Sequence, residues 1–203
     1  MGLTTPMLPT AMKIKLAVFV LTGAIVTLPA AALAFVNPLR VVVPAFMPGV
    51  TCPSPDICTD NIGELDKARA LYQAGYQTAA EAVGPFVGTP RVVFCSTQAC
   101  AETFGLGRRA AMAVSDVGLI VAPRGWEPFY LAHEMIHYRQ AETLGNVAIF
   151  TKPGWLIEGM AYALSKDPRT RLSQPFDQWR VQFDAWYVNV GPHNLWEAAR
   201  AVR

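Results

Sequence analysis

The sequence predicts an α+β domain in which a small mixed sheet packs on helices. Apolar residues recur at intervals of three and four from Leu65 to Val83 and again beyond Glu127, the period of amphipathic helices. Between these stretches, residues 91–122 change to short β-branched runs separated by small or turn-forming residues, the pattern of a sheet. The 203 residues are 52% hydrophobic and 16% charged, which suits one domain with a sizeable core and excludes disorder.

The elements follow in chain order. Leu16 to Val36 carries no charge over 21 residues and is preceded by Lys13 and Lys15, the layout of an export signal. It is read as a leader over residues 1–36. Ala32-Leu33-Ala34 offers a cleavage site near Ala34, while about 20 apolar residues also span a bilayer, so residues 16–36 are either a cleaved signal peptide or a single-pass membrane anchor. Residues 37–60, rich in Pro and Gly, read as a spacer ending in a cysteine loop, with the folded domain over residues 61–203. In an exported chain, Cys52, Cys58, Cys95 and Cys100 are expected as disulfides. Three connectivities are open, two local loops being the simplest, and the spacings fit the short C-x-x-C hooks of a zinc site poorly.

Asn61 and Glu64 have the spacing of a capping box ahead of a helix that Gly84-Pro85 ends. Arg91 to Phe94, Ala110 to Val114 and Gly118 to Ala122 are the strands, with a short helix over Thr97 to Phe104. Pro128 suits the first turn of the next helix and Gly145-Asn146 its end. Further helices are expected from Pro153 to about Ser165 and from Pro175 to Tyr187, with Gly191-Pro192 breaking the chain before a short terminal helix.

Inside the helix that follows Pro128 stands His133-Glu134-Met135-Ile136-His137. Residues four apart on a helix lie one turn above each other, so both imidazoles can hold one metal ion while Glu134 projects about 100° away toward a water on that metal. Zinc (Zn2+) suits two neutral imidazoles with an oxygen ligand, and a neighbouring carboxylate can take the proton of water attacking a carbonyl. Glu158, in Trp155-Leu156-Ile157-Glu158-Gly159-Met160-Ala161, follows His137 after 20 intervening residues and supplies a third ligand from the next helix. Packed antiparallel, the two helices would bring Glu158 to the histidines, with Gly159 sparing bulk where their backbones approach.

H-E-x-x-H followed by W-L-x-E-G-x-A resembles the gluzincin branch of the zincin metallopeptidases, the group of thermolysin and aminopeptidase N. The resemblance covers about Arg91 to Asp167. It implies a zincin-like fold, zinc held by His133, His137 and Glu158, and Glu134 as the general base of a peptide-bond hydrolase acting on a peptide or protein. It also places the strand Gly118 to Ala122 where the family's edge strand pairs with an extended substrate. Two features depart from the pattern. Tyr162 replaces an acidic residue that orients a zinc histidine in thermolysin-like members, so the outer shell must be built otherwise. The aminopeptidase motif that grips a free amine is missing, and Gln140 and Thr143 stand where the other superfamily branch has glycine and histidine.

An oxyanion donor is also required. Tyr187 is the first choice because the third helix closes over the cleft in related folds; Tyr162, whose spacing also suits core packing, and His193, in a Gly-Pro-His-Asn turn, are the other two. Arg108-Arg109 reads as a solvated turn or as a hold on a substrate carboxylate, and Arg124-Gly125-Trp126 as a cap on the sheet or a rim of the cleft. Beyond the leader lysines, fifteen Lys and Arg balance fifteen Asp and Glu, which gives no support for a nucleic-acid partner. The reading from a different class is a noncatalytic envelope module in which zinc is structural. A protease cutting within the bilayer fits poorly, because Arg139 and Gln140 make the motif helix too polar.

Overall fold

A computed structural model describes residues 36–203. The expected leader, Val36 apart, lies outside the described residues, among which no helix is long and apolar enough to cross a membrane. The fold is mixed α and β. Two proline-led 3-10 turns, Asn37–Val42 and Pro44–Phe46, precede strand β1 (Ile57–Thr59). A further turn, Ile62–Glu64, leads into helix α1 (Leu65–Val83), and then come β2 (Val92–Phe94), α2 (Gln98–Thr103), β3 (Ala111–Val114) and β4 (Gly118–Val121). Four helices complete the chain: α3 (Pro128–Leu144), the single-turn α4 (Ala148–Thr151), α5 (Gly154–Leu164) and α6 (Phe176–Ala201).

The strands lie in the order β1-β2-β4-β3. β1, β2 and β4 are parallel, and β3 runs antiparallel to β4 with Ala111 opposite Val121 and Val114 opposite Gly118. β4 is therefore an interior strand, buried at all four positions, and not the edge expected for residues 118–122. The tight turn at residues 115–117 folds β3 back along its outer side, so β3 takes the edge.

Both faces of the sheet are covered, which is why its strands read as continuous apolar runs. Val92, Phe94, Leu119 and Val121 face Tyr72 of α1 and Leu131 and Met135 of α3. Val93, Ile120 and Ala122 face Val41, Phe104 and Leu106. The segment expected as a spacer thus contributes a strand and part of the second core, because those sheet residues need an apolar cover. Disulfides Cys52–Cys58 and Cys95–Cys100 staple this cover: the first at β1, the second between the end of β2 and α2. Asp60 accepts hydrogen bonds from the Ser96 and Thr97 amides and the Thr97 hydroxyl, tying β1 to the start of α2. Asn61 caps only the short turn, accepting from Gly63 N–H at 3.1 Å, and α1 starts at Leu65.

Two helix contacts depend on missing side chains. A Cβ on Gly75 would lie 2.7 Å from Leu131 Cγ, so this glycine lets α1 close on α3. A Cβ on Gly159 would lie 2.4 Å from the Trp179 carbonyl oxygen. The close neighbour of Gly159 is therefore α6, not the histidine helix. The first part of α6 continues past Tyr187; Gly191, at φ 69° and ψ 168°, breaks the helix as expected before a short terminal stretch to Ala201, whose Leu195 and Ala199 rejoin the core.

Gly159→Ala should lower stability by about 1–3 kcal/mol, because a backbone carbonyl cannot yield as a flexible side chain would. Urea unfolding followed by tryptophan fluorescence measures this; an unchanged midpoint would contradict the contact.

Candidate metal centre

Leu131, Met135 and Ile136 are buried in the main core, and they anchor α3 to α1 and the sheet. The turn positions left over present His133, Glu134 and His137 to a cleft of about 920 Å³. α5 runs antiparallel to α3: His133 meets Tyr162, with ring centroids 4.4 Å apart, while Gln140, two turns further along α3, donates to the Ile157 carbonyl at 2.9 Å. That direction sets Glu158 opposite the two histidines.

The three groups converge. His133 Nε2 lies 3.1 Å from His137 Nε2 and 3.5 Å from Glu158 Oε2, and His137 Nε2 lies 3.6 Å from Glu158 Oε1. Ligands about 2.0–2.1 Å from a tetrahedral ion sit about 3.3 Å apart, so these separations fit one small divalent cation. Together the groups form a cluster able to hold a metal. Without an ion, the surroundings favour a proton on His137. Burial pushes the His137 imidazolium down, but its bond to Glu158 and the charges of Glu158 and Glu134 outweigh this and raise it to about 9. Burial likewise works against the Glu158 carboxylate, yet the bonds from His133 and His137 hold it well below the usual range.

Gln140, fully buried, supplies the outer support that Tyr162 does not. Its Oε1 accepts from His137 Nδ1 at 2.8 Å, which fixes the tautomer that turns Nε2 toward the metal position; its Nε2 donates to the Ile157 carbonyl. The polarity that Gln140 seemed to give the helix surface is thus spent inside. The pattern held one signal for it: Gln140 stands three residues after His137, on the same face.

Glu134 Oε2 accepts from the Ala113 amide at 2.7 Å, so the edge strand positions this carboxylate beside the metal position. Tyr162 also lines the cleft, and burial, then the charge of Glu158, pushes its phenol up to about 12, leaving it a hydrogen-bond donor at neutral pH. Arg169 closes this side. Its guanidinium forks onto Asp167 and lies 5.2 Å from the Tyr130 ring and 5.7 Å from that of Tyr162.

The cleft therefore gathers His133, Glu134, His137 and Glu158 as expected. Tyr187, the first choice as oxyanion donor, does not line it: the ring stacks on Phe183 at 5.3 Å, packed against the main core. α6 covers the outer face of α5 and adds only its first residue, Phe176, to the cleft lining. His193 is exposed on α6 past the Gly191 kink.

A metal must displace the proton on His137, so below about pH 9 the two compete. Affinity measured by chelator competition should rise about tenfold per pH unit from neutrality up to that point and then level off; a flat profile would contradict a proton on His137. Gln140→Ala should weaken binding about 10- to 100-fold while the fold persists by circular dichroism. Compared with known proteins, the chain matches no family model, no curated protein and no solved structure.

Proposed function

We propose that the chain is an exported zinc-dependent metallopeptidase with a zincin-type, gluzincin-like domain. Export is supported by the two disulfides, which persist in oxidising compartments. The observation that carries the reading is one arrangement: three ligand groups spaced for a tetrahedral ion, with Glu134 held beside them by the edge of the sheet. Two histidines and a glutamate leave the fourth position of zinc open, the mark of a catalytic site.

Bound zinc would acidify water and polarise a carbonyl. The chain's residues do the rest. Glu134 keeps one carboxylate oxygen on the Ala113 amide and has the other to take a proton from the attacking water and pass it to the leaving amine. Tyr162 replaces Tyr187 as the donor to the developing oxyanion. The edge strand holds the substrate: residues bonded to the neighbouring strand alternate along an antiparallel pair, Ala110 accepts from Ala122, and so Ala111 turns its N–H and carbonyl, and Ala113 its carbonyl, outward to the cleft, the Ala113 N–H being held by Glu134. An extended peptide or protein segment would add there as a further strand and cross the metal position.

Glu134→Gln keeps an acceptor for the Ala113 amide but cannot take a proton, so turnover of a peptide library should fall at least about 10²-fold with zinc content unchanged. Glu158→Ala should lose the metal, and Tyr162→Phe should lower kcat about 10²-fold without losing it. Zinc bound by a wild-type chain that cleaves no peptide or protein would instead make the domain a noncatalytic envelope module.

A further inference from the structure

The charges around the cleft are segregated. Among the described residues, fifteen bases balance fifteen acids, yet the cleft is lined by Arg108, Arg109, Arg124 and Arg169 against only Glu134 and Glu158, both engaged at the metal position. Arg169 is neutralised by its fork with Asp167. The other three are exposed and have no acidic partner among the described residues: the Arg109 guanidinium donates there only to the Met112 sulfur, at 3.3 Å, and the side chains of Arg108 and Arg124 form no ion pair or hydrogen bond.

These three share one end of the cleft. Arg108 and Arg109 stand just before β3, separated from it by Ala110, Arg124 follows β4 in the turn Pro123–Gly125, and the antiparallel register with Ala111 opposite Val121 brings the start of one strand to the end of the other. The far end differs. There the cleft is lined by Ser115 and by Ile149 and Phe150 of α4, Phe150 being 84% exposed, and no basic side chain lines it.

Resting on the peptidase reading, we infer that the site takes acidic peptide segments, with Glu or Asp on one side of the scissile bond only. Ala113 marks the metal position, and Arg109 lies four residues before it. At about 3.3 Å per residue along an extended chain, and with the reach of an arginine, the matching carboxylate falls about two to four residues from the bond that is cut. Guanidinium groups with no acidic partner among the described residues are open to such carboxylates, and a neighbouring set of three favours an acid over a base at that position by charge complementarity.

The test uses the full chain loaded with zinc and a peptide series that differs only by Glu, Gln or Lys at each position within four residues of the cleaved bond. The expected result is a kcat/KM about tenfold higher for Glu than for Lys on one side, shrinking as salt rises, with no such ratio on the other side. The double variant Arg109→Glu, Arg124→Glu should invert the ratio, with zinc content confirming that it has folded. Cleavage with equal kcat/KM for the three residues overturns the inference and leaves the peptidase reading standing. If nothing is cleaved, binding of the same peptides to Glu134→Gln by fluorescence anisotropy decides: Glu-selective binding lost in the arginine double variant supports an acidic-segment site without the peptidase, and charge-independent or absent binding overturns it.

Discussion

The convergence of two imidazoles and a carboxylate within 3.1–3.6 Å, drawn from two antiparallel helices, is the constraint on which the rest of the molecule depends. Such a cluster opposes folding unless its charges are matched, since His133 and His137 are largely removed from water. The match has two layers. Glu158 faces both rings, and Gln140 holds His137 from behind while tying α3 to the backbone of α5. One buried amide thus fixes a ring tautomer and the spacing of two helices together.

The surrounding fold keeps those helices in register. α3 is pressed on the sheet and on α1 through Leu131 and Met135, and the absence of a side chain at Gly75 allows that approach. α5 is backed by α6, whose Trp179 carbonyl lies where a Gly159 side chain would stand. The sheet is buried on its second face by residues 37–50 and α2, stapled by two disulfides. Its one edge open to the cleft is β3, and the Ala113 amide there grips Glu134. The sheet edge thus holds the Glu134 carboxylate by a hydrogen bond, and the charge of that carboxylate acts on His137 of the ligand cluster.

Much of this is legible in the sequence alone. The helical period over residues 65–83, the β-branched runs near 92, 111 and 118, and the stop at Gly145 all reappear, because local backbone preference and burial agree at those places. The metal cluster was legible because i,i+4 histidines share a helix face whatever surrounds them. β1 was hidden, since three residues inside a Pro-rich cysteine loop carry no period. The helix break expected at Gly191 is present, its backbone leaving the helical region before a short terminal stretch whose Leu195 and Ala199 bury themselves against the core.

By itself, then, the sequence determined the helix of the paired histidines, the glutamate that joins them and the cysteines available to staple the domain. Each is set by covalent spacing along the chain, which tertiary contacts do not alter. Only the tertiary structure decided that β3 and not β4 is the edge, that Tyr162 and not Tyr187 faces the cleft, that Gln140 turns inward, and that Arg108 and Arg109 stand beside Arg124. Strand order, helix backing and the meeting of residues distant in sequence depend on which apolar faces cover one another, and no local pattern encodes that choice.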